Sequence, residues 1–378
     1  MFLHCHFALA IWFEIPHVTC VNRMPKSPNG KKGRVVVLYN FVGEDEYEKL
    51  KTFDASTLDF TPQYPIRVST VKEDFNAIVK ALRKEGYSAR ALNVEEQVGV
   101  LERLLQRNPP DVVFNLVEFF NDKADLEPMV AGMYDLYKIP YTGAPPFALE
   151  LCQRKGMAKQ VLLANGVPTP KFRILRQPKM PKRHGLRYPV IVKPAREDGS
   201  AGVEKDSVVR DYDGLKERLK KTFAEFPPPI IVEEFIEGKE LHVSVLGNDP
   251  PVVLPIIEFD FSEFPSDHPT IISYEAKWNP LNENYHLLHS VCPAKLPKRI
   301  RKKVEEIALL AYHVTGCRDY ARLDLRLSPR NQVFVLEVNP NPDLTEGVSF
   351  MESAEKAGIS FSQALAQIVE YARARRSN

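Results

Sequence analysis

The first part of the chain alternates short apolar runs with segments of helical periodicity. Residues 34–40 and 111–117 are almost continuously apolar, a pattern typical of strands that are buried on both faces of a sheet. Residues 75–85 and 126–137 instead carry apolar side chains at the spacing of one helix face. Strands that alternate with helices in this way predict a parallel sheet, so we expect residues 34–148 to form one α/β domain.

The rest of the chain contains further strands and amphipathic helices without the same regular alternation. Gly166 and Gly316 stand where two predicted helices should end, because glycine is favoured just past a helix C-terminus. The predicted helices cover residues 155–165, 302–314 and 363–373, and the predicted strands cover residues 189–193, 230–233, 241–246, 322–327 and 333–338.

Residues 322–339 predict a β-hairpin with one polar and one apolar face. The first strand alternates strictly between polar and apolar side chains, and the segment after it has the composition of a turn. With the turn centred between Arg330 and Asn331, Asp324 faces Glu337, and Leu325 faces Leu336 on the opposite side. A single β-bulge would break this register.

The polar face of this hairpin is a candidate metal site. Directly opposed carboxylates destabilise a strand pair, and a divalent cation between Asp324 and Glu337 would remove the repulsion. Mg²⁺ prefers carboxylate and amide oxygens, and the same register places Asn339 opposite Arg322 on this face. The alternative is a solvated hairpin face on which Arg322 neutralises one acid. The spacing alone leaves both interpretations open.

Composition narrows the class of protein. The chain has 378 residues, of which 44% are hydrophobic and 26% are charged, as expected for a globular protein of two to three domains. Lys and Arg number 51 against 49 Asp and Glu, so the basic excess of a general nucleic-acid binder is absent. Its five cysteines are odd in number and form no CxxC pair, which argues against a disulfide framework and a zinc ribbon and predicts a reducing, cytoplasmic location. No apolar run approaches the ~18 residues of a membrane span.

Residues 1–33 are predicted to be an unstructured extension. Their apolar stretch lacks the basic start and the small-residue cleavage site of a signal peptide. His4, Cys5 and His6 offer metal-binding groups, but adjacent residues of an extended chain point to opposite faces. An extension is therefore favoured over a metal site.

A lysine at a strand end precedes a loop of small residues. Lys193 ends an apolar strand, and Gly199 and Gly202 in the loop would let backbone N–H groups approach phosphate oxygens. The chain has no GxxxxGK[ST] loop, and no GxGxxG follows its first strand, so a nucleotide would be held by a different design. The alternative for Lys193 is a solvated side chain. Residues 233–240 either offer groups to an adenine and a ribose or form an ordinary acidic hairpin.

Taken together and in this order, several segments resemble the D-alanine–D-alanine ligases of the ATP-grasp superfamily. The matching segments are IPYTGAPPFAL (139–149), YPVIVKPAREDGSAG (188–202), IIVEEFIEGKEL (230–241), SYEAKW (273–278), ARLDL with VLEVNPNP (321–342) and KAGISFSQAL (356–365). The resemblance covers about residues 100–378. It implies an ATP-grasp fold, of mixed α/β and α+β class, in which an N-terminal parallel-sheet domain precedes two α+β lobes that enclose ATP. The implied domains are residues 34–148, 149–240 and 241–378.

The resemblance also implies roles for individual residues. ATP is expected to contact Lys155, Lys193, Glu233, Phe235, Ile236 and Glu240; two Mg²⁺ ions, with Mn²⁺ as an alternative, are expected on Asp324, Glu337 and Asn339; and catalytic roles are expected for Lys277, Ser200 and Arg322. Of these, Lys277 should reach the γ-phosphate and Arg322 should stabilise the oxyanion of a tetrahedral intermediate.

The implied reaction joins a carboxylate to an amine in two steps. ATP phosphorylates the carboxylate to an acyl phosphate, and the amine then displaces phosphate and forms an amide. ATP and small amino-acid-like substrates are therefore the expected partners, without nucleic acid or membrane, and a homodimer is left open.

Departures from the family pattern lie on the amino-acid side of the implied site. Gly199 stands where the family has a loop serine, which leaves Ser200 as the nearest hydroxyl. Trp278 replaces a tyrosine, Glu118 lies where the family has a His-Gly segment, and Asp343 ends a Pro-Asn-Pro-Asp segment that replaces Thr-Ser-Pro-Gly. We expect Glu118, Trp278 and Asp343 to face the amino-acid substrate.

Three functional hypotheses follow. The first is an ATP-dependent carboxylate–amine ligase whose substrates need not be two D-alanines. The second is an authentic D-alanine–D-alanine ligase of peptidoglycan precursor synthesis, and the third is a non-catalytic nucleotide-binding scaffold. The scaffold ranks lowest, because all three expected metal ligands and Arg322 are present.

Overall fold

The structure is a computed structural model that describes residues 32–43, 46–66 and 68–375. Within these ranges, three β-sheets and the helices packed around them form the architecture. The predictions for residues 1–31, including the segment around Cys5, lie outside the described residues.

The first sheet has three parallel strands in the order β2-β1-β3, which confirms the predicted parallel sheet. Its strands are β1 (Arg34–Tyr39), β2 (Ser88–Asn93) and β3 (Val112–Leu116), and the neighbouring helices are α1 (Val71–Lys84), α2 (Val98–Arg107) and α3 (Glu127–Leu136). The start of α1 is fixed by a capping box, in which Thr70 and Glu73 each bond the other's backbone N–H. The edge strand β2 escapes prediction because its residues form no apolar run.

The second sheet is antiparallel, with four strands in the order β4-β7-β5-β6. Its strands are β4 (Phe172–Leu175), β5 (Val190–Pro194), β6 (Val208–Val209) and β7 (Ile230–Glu234), and helix α6 (Tyr212–Glu225) packs on one face. Val192, Leu215 and Val232 share the core between sheet and helix. Of the predicted nucleotide-binding residues, Lys193 lies near the end of β5, Glu233 lies near the end of β7, and Phe235 and Ile236 directly follow β7.

The third sheet has six strands in the order β11-β10-β8-β12-β13, with β9 also paired to β8. Its strands are β8 (Lys239–Leu246), β9 (Val252–Val253), β10 (Ile257–Asp260), β11 (His289–Val291), β12 (Tyr320–Leu327) and β13 (Val333–Asn339). The accompanying helices are α4 (Pro146–Gln153), α5 (Lys155–Ala164), α7 (Tyr274–Trp278), α8 (Glu283–Leu287) and α9 (Lys298–Val314). No helix in the described part of the chain is both long and apolar enough to cross a membrane.

The last two helices return to the first sheet. They are α10 (Ser349–Lys356) and α11 (Phe361–Ala374), and Phe350 and Leu365 share one hydrophobic core with Val37 and Phe114. Conversely, Leu162 of α5 belongs to the core of the third sheet. The domain boundaries after residues 148 and 240 stay predictions.

The hairpin of β12 and β13 has the predicted register on its functional side. Asp324 pairs with Glu337, and Arg322 pairs with Asn339. The predicted pairing of Leu325 with Leu336 is wrong, because the register shifts after Asp324 and Leu325 pairs with Val335. The extra residue of this β-bulge brings Leu336 onto the wall of a cleft beside Glu337.

Candidate active site

A cleft opens between the second and third sheets, with about 870 Å³ of space, part of it open to solvent. The predicted residues that line it are Lys155, Lys193, Ser200, Glu233, Phe235, Ile236, Glu240, Lys277, Arg322, Asp324 and Glu337. Side chains that lie far apart in the sequence therefore meet here, because the strand ends of two sheets face each other.

Four predicted residues, Asn339, Glu118, Asp343 and Trp278, lie outside this lining. Asn339 is adjacent to it, since its amide nitrogen donates to Asp324 Oδ2 at 3.1 Å. Glu118 and Asp343 line a second, smaller cavity.

Trp278 forms a hydrogen bond with the loop that contains Gly199 and Gly202, called the glycine loop below, at the edge of the cleft. Its indole N–H donates to the Gly199 carbonyl at 2.7 Å, and the Lys277 ammonium lies 4.7 Å from the centre of the Trp278 ring. Gly199 has φ +62°, and a Cβ there would lie 3.4 Å from the indole nitrogen. A serine at position 199 would be strained at this φ. Ser200, which itself has φ 65°, carries the hydroxyl, which donates to the Ile272 carbonyl at 2.9 Å.

Lys155 joins three elements at one end of the cleft. Its ammonium lies 2.9 Å from Asp198 Oδ1 and 2.8 Å from Glu337 Oε2. Burial lowers the pKa of Lys155, but the carboxylates of Asp198 and Glu337 outweigh burial and raise the pKa above its usual value. Lys155 therefore stays cationic and holds β13 against α5 and the glycine loop.

Glu233 is enclosed by two lysines. Its carboxylate lies 2.7 Å from Lys193 Nζ and 2.9 Å from Lys159 Nζ. Lys193 is buried, so the alternative of a solvated side chain is wrong. Burial raises the pKa of Glu233, but the two ammonium groups outweigh burial and hold it below its usual value.

Lys159 is a site residue that sequence reasoning missed. It is 1% exposed, and burial lowers its pKa. Its ammonium also donates to Thr169 Oγ1 at 2.8 Å. The available signal is its position four residues after Lys155 on α5, which places both lysines on one helix face.

Arg322 and Asp324 form a two-bond ion pair on β12. The guanidinium Nε donates to Oδ1 at 2.7 Å, and Nη2 donates to Oδ2 at 3.0 Å. Both residues are buried, 6% and 7% exposed, so the alternative of a solvated face is wrong, although Arg322 does neutralise one acid. Burial lowers the pKa of the adjacent His242 to about 3, so its imidazole is neutral at pH 7.

A second buried ion pair lies near the predicted adenine and ribose contacts. Arg326 donates to Glu240 Oε2 at 2.6 Å, and its guanidinium lies 5.1 Å from the centre of the Phe235 ring. Burial raises the pKa of Glu240, against the opposing effect of Arg326. The buried state of Glu233 and Glu240 makes the alternative of an ordinary acidic hairpin wrong. Sequence reasoning missed Arg326, although it alternates with Arg322 and Asp324 on the same strand face.

The donor set on the hairpin fits a hard cation that also binds phosphate. Within the described ranges, no three His, Cys, Asp or Glu side chains are grouped so that they could hold a metal by themselves. Asp324 and Glu337 supply carboxylate oxygens, and Asn339 uses its amide nitrogen toward Asp324, which leaves its amide oxygen as a further donor to a cation. Mg²⁺ usually binds one or two carboxylates together with substrate phosphates. The two carboxylates and the amide oxygen of the hairpin are therefore the types of ligand that a Mg²⁺ site requires.

The chain matches a known protein family over more than half its length. Residues 161–370 match the family model described as D-ala D-ala ligase C-terminus. A protein of Sinorhizobium fredii named uncharacterized protein y4sG is 33% identical over 307 residues, which cover 79% of this chain and 87% of that protein. A D-alanine–D-alanine ligase of Carboxydothermus hydrogenoformans is 31% identical over 303 residues, which cover 78% of this chain and 90% of that protein.

Solved structures share the fold. A D-alanine–D-alanine ligase from Bacillus anthracis in complex with ATP has a TM-score of 0.67 at 21% identity, covering 91% of this chain and 98% of that chain. The VanG D-Ala:D-Ser ligase from Enterococcus faecalis has a TM-score of 0.64 at 20% identity, covering 90% of this chain and 100% of that chain. These likenesses establish the ATP-grasp fold that the sequence resemblance implies.

Proposed function

Because the chain belongs to the D-alanine–D-alanine ligase family of the ATP-grasp superfamily, we propose that it uses ATP to join the carboxylate of one amino-acid-like substrate to the amine of another. The observation that carries the proposal is the convergence of Lys155, Lys193 and Lys277 with Arg322 and Glu337 in one cleft. Cationic side chains in this number suit a triphosphate, and the opposed carboxylates suit the metal that accompanies it.

The nucleotide is proposed to lie between β7 and β8. Phe235 and Ile236 would contact the adenine, and Glu240 would accept from the ribose hydroxyls. Lys155 and Lys193 would turn from their carboxylates toward the phosphates. Lys159 supports this exchange, because it stays bound to Glu233 when Lys193 leaves it.

Asp324, Glu337 and Asn339 are proposed to hold Mg²⁺. When bound, Mg²⁺ would neutralise charge on the transferring phosphoryl group. Lys155 pairs with Glu337 and Arg322 pairs with Asp324, and these ion pairs keep both acids ionised. The pKa of Glu337 is accordingly held well below its usual value: burial opposes this, and Lys155 and Lys193 outweigh burial.

The reaction is proposed to proceed through an acyl phosphate. A carboxylate oxygen attacks the γ-phosphorus, ADP leaves, and Lys277 meets the charge on the phosphoryl oxygens. The amine then attacks the acyl carbon, and phosphate departs with that oxygen. Arg322 is proposed to stabilise the oxyanion between these events, since two of its five N–H donors suffice for Asp324. Ser200 is proposed to orient the amino-acid substrate.

A second candidate function is the joining of two D-alanines. The names of several relatives favour it. Gly199, Trp278 and Glu118 favour another substrate, because they replace groups on the amino-acid side of the site. We place the enzyme in the cytoplasm, which agrees with free thiols at Cys152, Cys292 and Cys317, and leave a homodimer as a proposal.

Phosphate release tests the proposal. Purified protein with Mg²⁺ and ATP is given single amino acids and pairs, in both chiralities, and phosphate is measured over time. We expect release that needs both Mg²⁺ and an amino acid, with D-alanine not the best substrate at both positions. Release that is independent of any amino acid would contradict ligase activity, and D-alanine as the best substrate would favour the second candidate.

A further inference from the structure

A second cavity lies apart from the nucleotide-binding cleft and is lined by acids. Its space is about 440 Å³, part of it open to solvent, and Asp74, Glu118, Glu127 and Asp343 line it. The other lining side chains are uncharged. Among the described residues, no lysine, arginine or histidine lines this cavity. A cavity of this charge favours a cation and repels a carboxylate.

A buried hydroxyl on the cavity wall lacks a partner. Tyr320 is 0% exposed and lines the cavity, and no described residue forms a hydrogen bond with its hydroxyl. Burial raises the pKa of Tyr320, and the carboxylates of Asp319, Glu127, Glu118 and Asp343 contribute. A buried polar group without a partner destabilises the protein, so this hydroxyl points to a ligand that the cavity receives.

The lining of the cavity offers no cationic side chain to Glu118 or Glu127. Glu127 is 9% exposed, and its carboxyl accepts from the Gln153 amide at 2.8 Å and the Asn341 amide at 3.3 Å. Burial raises the pKa of Glu127 to about 8 and that of Glu118 to about 7. A cation that binds beside such a carboxyl group lowers its pKa and favours its ionisation. Ionisation of the carboxyl group in turn favours binding of the cation.

Glu118 lies close enough to the cleft to feel two of its charged groups. The Lys277 ammonium of the cleft acts on the Glu118 carboxyl, and so does Asp198, which binds Lys155. One molecule that reaches past Glu118 therefore extends from the acidic cavity toward the cationic side chains of the cleft.

We propose that this cavity binds the side-chain ammonium group of a diamino-acid substrate, an inference that rests on the proposed ligase function. An ammonium has three N–H donors, which match the carboxyls of Glu118 and Glu127 and the hydroxyl of Tyr320. An α-ammonium fits less well, because its own carboxylate would lie among the acids. A side-chain ammonium on a long stem leaves the carboxylate free to reach Lys277 and Arg322.

Calorimetry with two probes tests the inference. Lysine and norleucine, in both chiralities, are titrated into the full chain without ATP, because norleucine keeps the stem and lacks the ammonium. We expect one chirality of lysine to bind at least about tenfold more tightly than norleucine, a difference of about 1.4 kcal/mol. Equal affinities, or tighter norleucine, would overturn the inference.

Variants assign the preference to the cavity. Glu118→Gln and Tyr320→Phe are expected to lose most of the preference for lysine over norleucine. The affinity for norleucine should stay as in the wild type. Tyr320→Phe should fold, since it removes only an unpartnered hydroxyl. Glu225→Gln, on the exposed end of α6, is the matched control and should bind lysine as the wild type does. A lysine preference that both cavity variants retain would place the ammonium elsewhere and overturn the inference.

Phosphate release separates the two proposals. If lysine binds with the expected dependence on Glu118 but no amino acid supports phosphate release, the ligase proposal fails and the cation site stands. If neutral amino acids support phosphate release and lysine shows no preference, the cation site fails and the ligase proposal stands.

Discussion

Glu233 shows how single residues prepare the nucleotide site. The buried ammonium groups of Lys159 and Lys193 both lie within ion-pair distance of the Glu233 carboxylate, so the three groups carry one excess positive charge. Breaking a buried ion pair leaves an uncompensated charge, which is costly. Lys159 has only protein partners, whereas Lys193 lies on the cleft wall, so Lys193 is the ammonium that can turn to a phosphate without stranding Glu233.

Replacement of Lys193 tests this assignment. Lys193→Ala should weaken ATP binding at least about tenfold, since a hydrogen bond to a charged group contributes about 1.5–3 kcal/mol. Lys182→Ala, in an exposed basic loop, is the control and should change the affinity by less than about twofold. Titration of ATP by calorimetry measures both, and equal affinities would make Lys193 a structural residue.

At the scale of elements, the β12–β13 hairpin shows what sequence can predict and what it cannot. Alternation along β12 and the turn composition predict the pairing of Asp324 with Glu337, because those signals are local. The bulge beyond Asp324 is invisible to the same signals, since it depends on packing of β13 against Pro168, whose carbonyl accepts from Val335. For the same reason the burial of Lys159 and the Arg326–Glu240 pair escape prediction: both depend on elements that meet only in the folded chain.

The hairpin also predicts a variant that separates catalysis from folding. Glu337→Gln should lower turnover by a factor of roughly 100 to 1,000, the size of loss typical when one group that stabilises transition-state charge is removed. The fold should persist, because the glutamine oxygen can still accept from Lys155 and Asp198 still neutralises that ammonium.

ADP formation and the thermal midpoint are measured together for this variant. Glu306→Gln, on the exposed face of α9, is the matched control and should behave as the wild type in both. Near-normal ADP formation by Glu337→Gln would remove Glu337 from the metal site.

At the scale of the whole molecule, distant segments of the chain complete each other's cores. Helix α11 packs on the first sheet through Leu365 and Ile368, and Arg375 binds Asp319 and the Tyr141 carbonyl. The family resemblance gives the overall fold, and the periodicity of residues 363–373 gives the helix itself. The periodicity says nothing about the surface that the helix covers, since an amphipathic face fits any apolar partner.

The buried carboxyl of Glu127 makes global stability depend on pH. Burial raises the pKa of Glu127 to about 8 from its ordinary 4.5, with added effects of Glu118 and Asp198 against the amides of Gln153 and Asn341. Below pH 4.5 the carboxyl is protonated in both folded and unfolded chains. As pH rises to about 8, only the unfolded chain releases the proton, so the free energy of unfolding falls across this window.

Glu127→Gln should remove the fall in the free energy of unfolding at high pH, because a glutamine side chain has no proton to release in this pH range. We expect the variant to be more stable than the wild type at pH 9, by on the order of a few kcal/mol, and to differ little in this respect at pH 4.5. Denaturation in urea at several pH values measures it, with Glu225→Gln as a control that keeps the wild-type dependence. Parallel pH profiles for Glu127→Gln and wild type would contradict a raised pKa.

The fate of the carboxylate oxygens tests the ligase chemistry most directly. The amino acid found active by phosphate release is labelled with ¹⁸O in its carboxylate, and the phosphate formed with Mg²⁺ and ATP is analysed by mass spectrometry. When the amine attacks an acyl phosphate, one oxygen of the original carboxylate leaves with the phosphate. We therefore expect one ¹⁸O in each phosphate released and an amide product in equal amount. Phosphate that carries no ¹⁸O would show that water attacks ATP, and would contradict a reaction through an acyl phosphate.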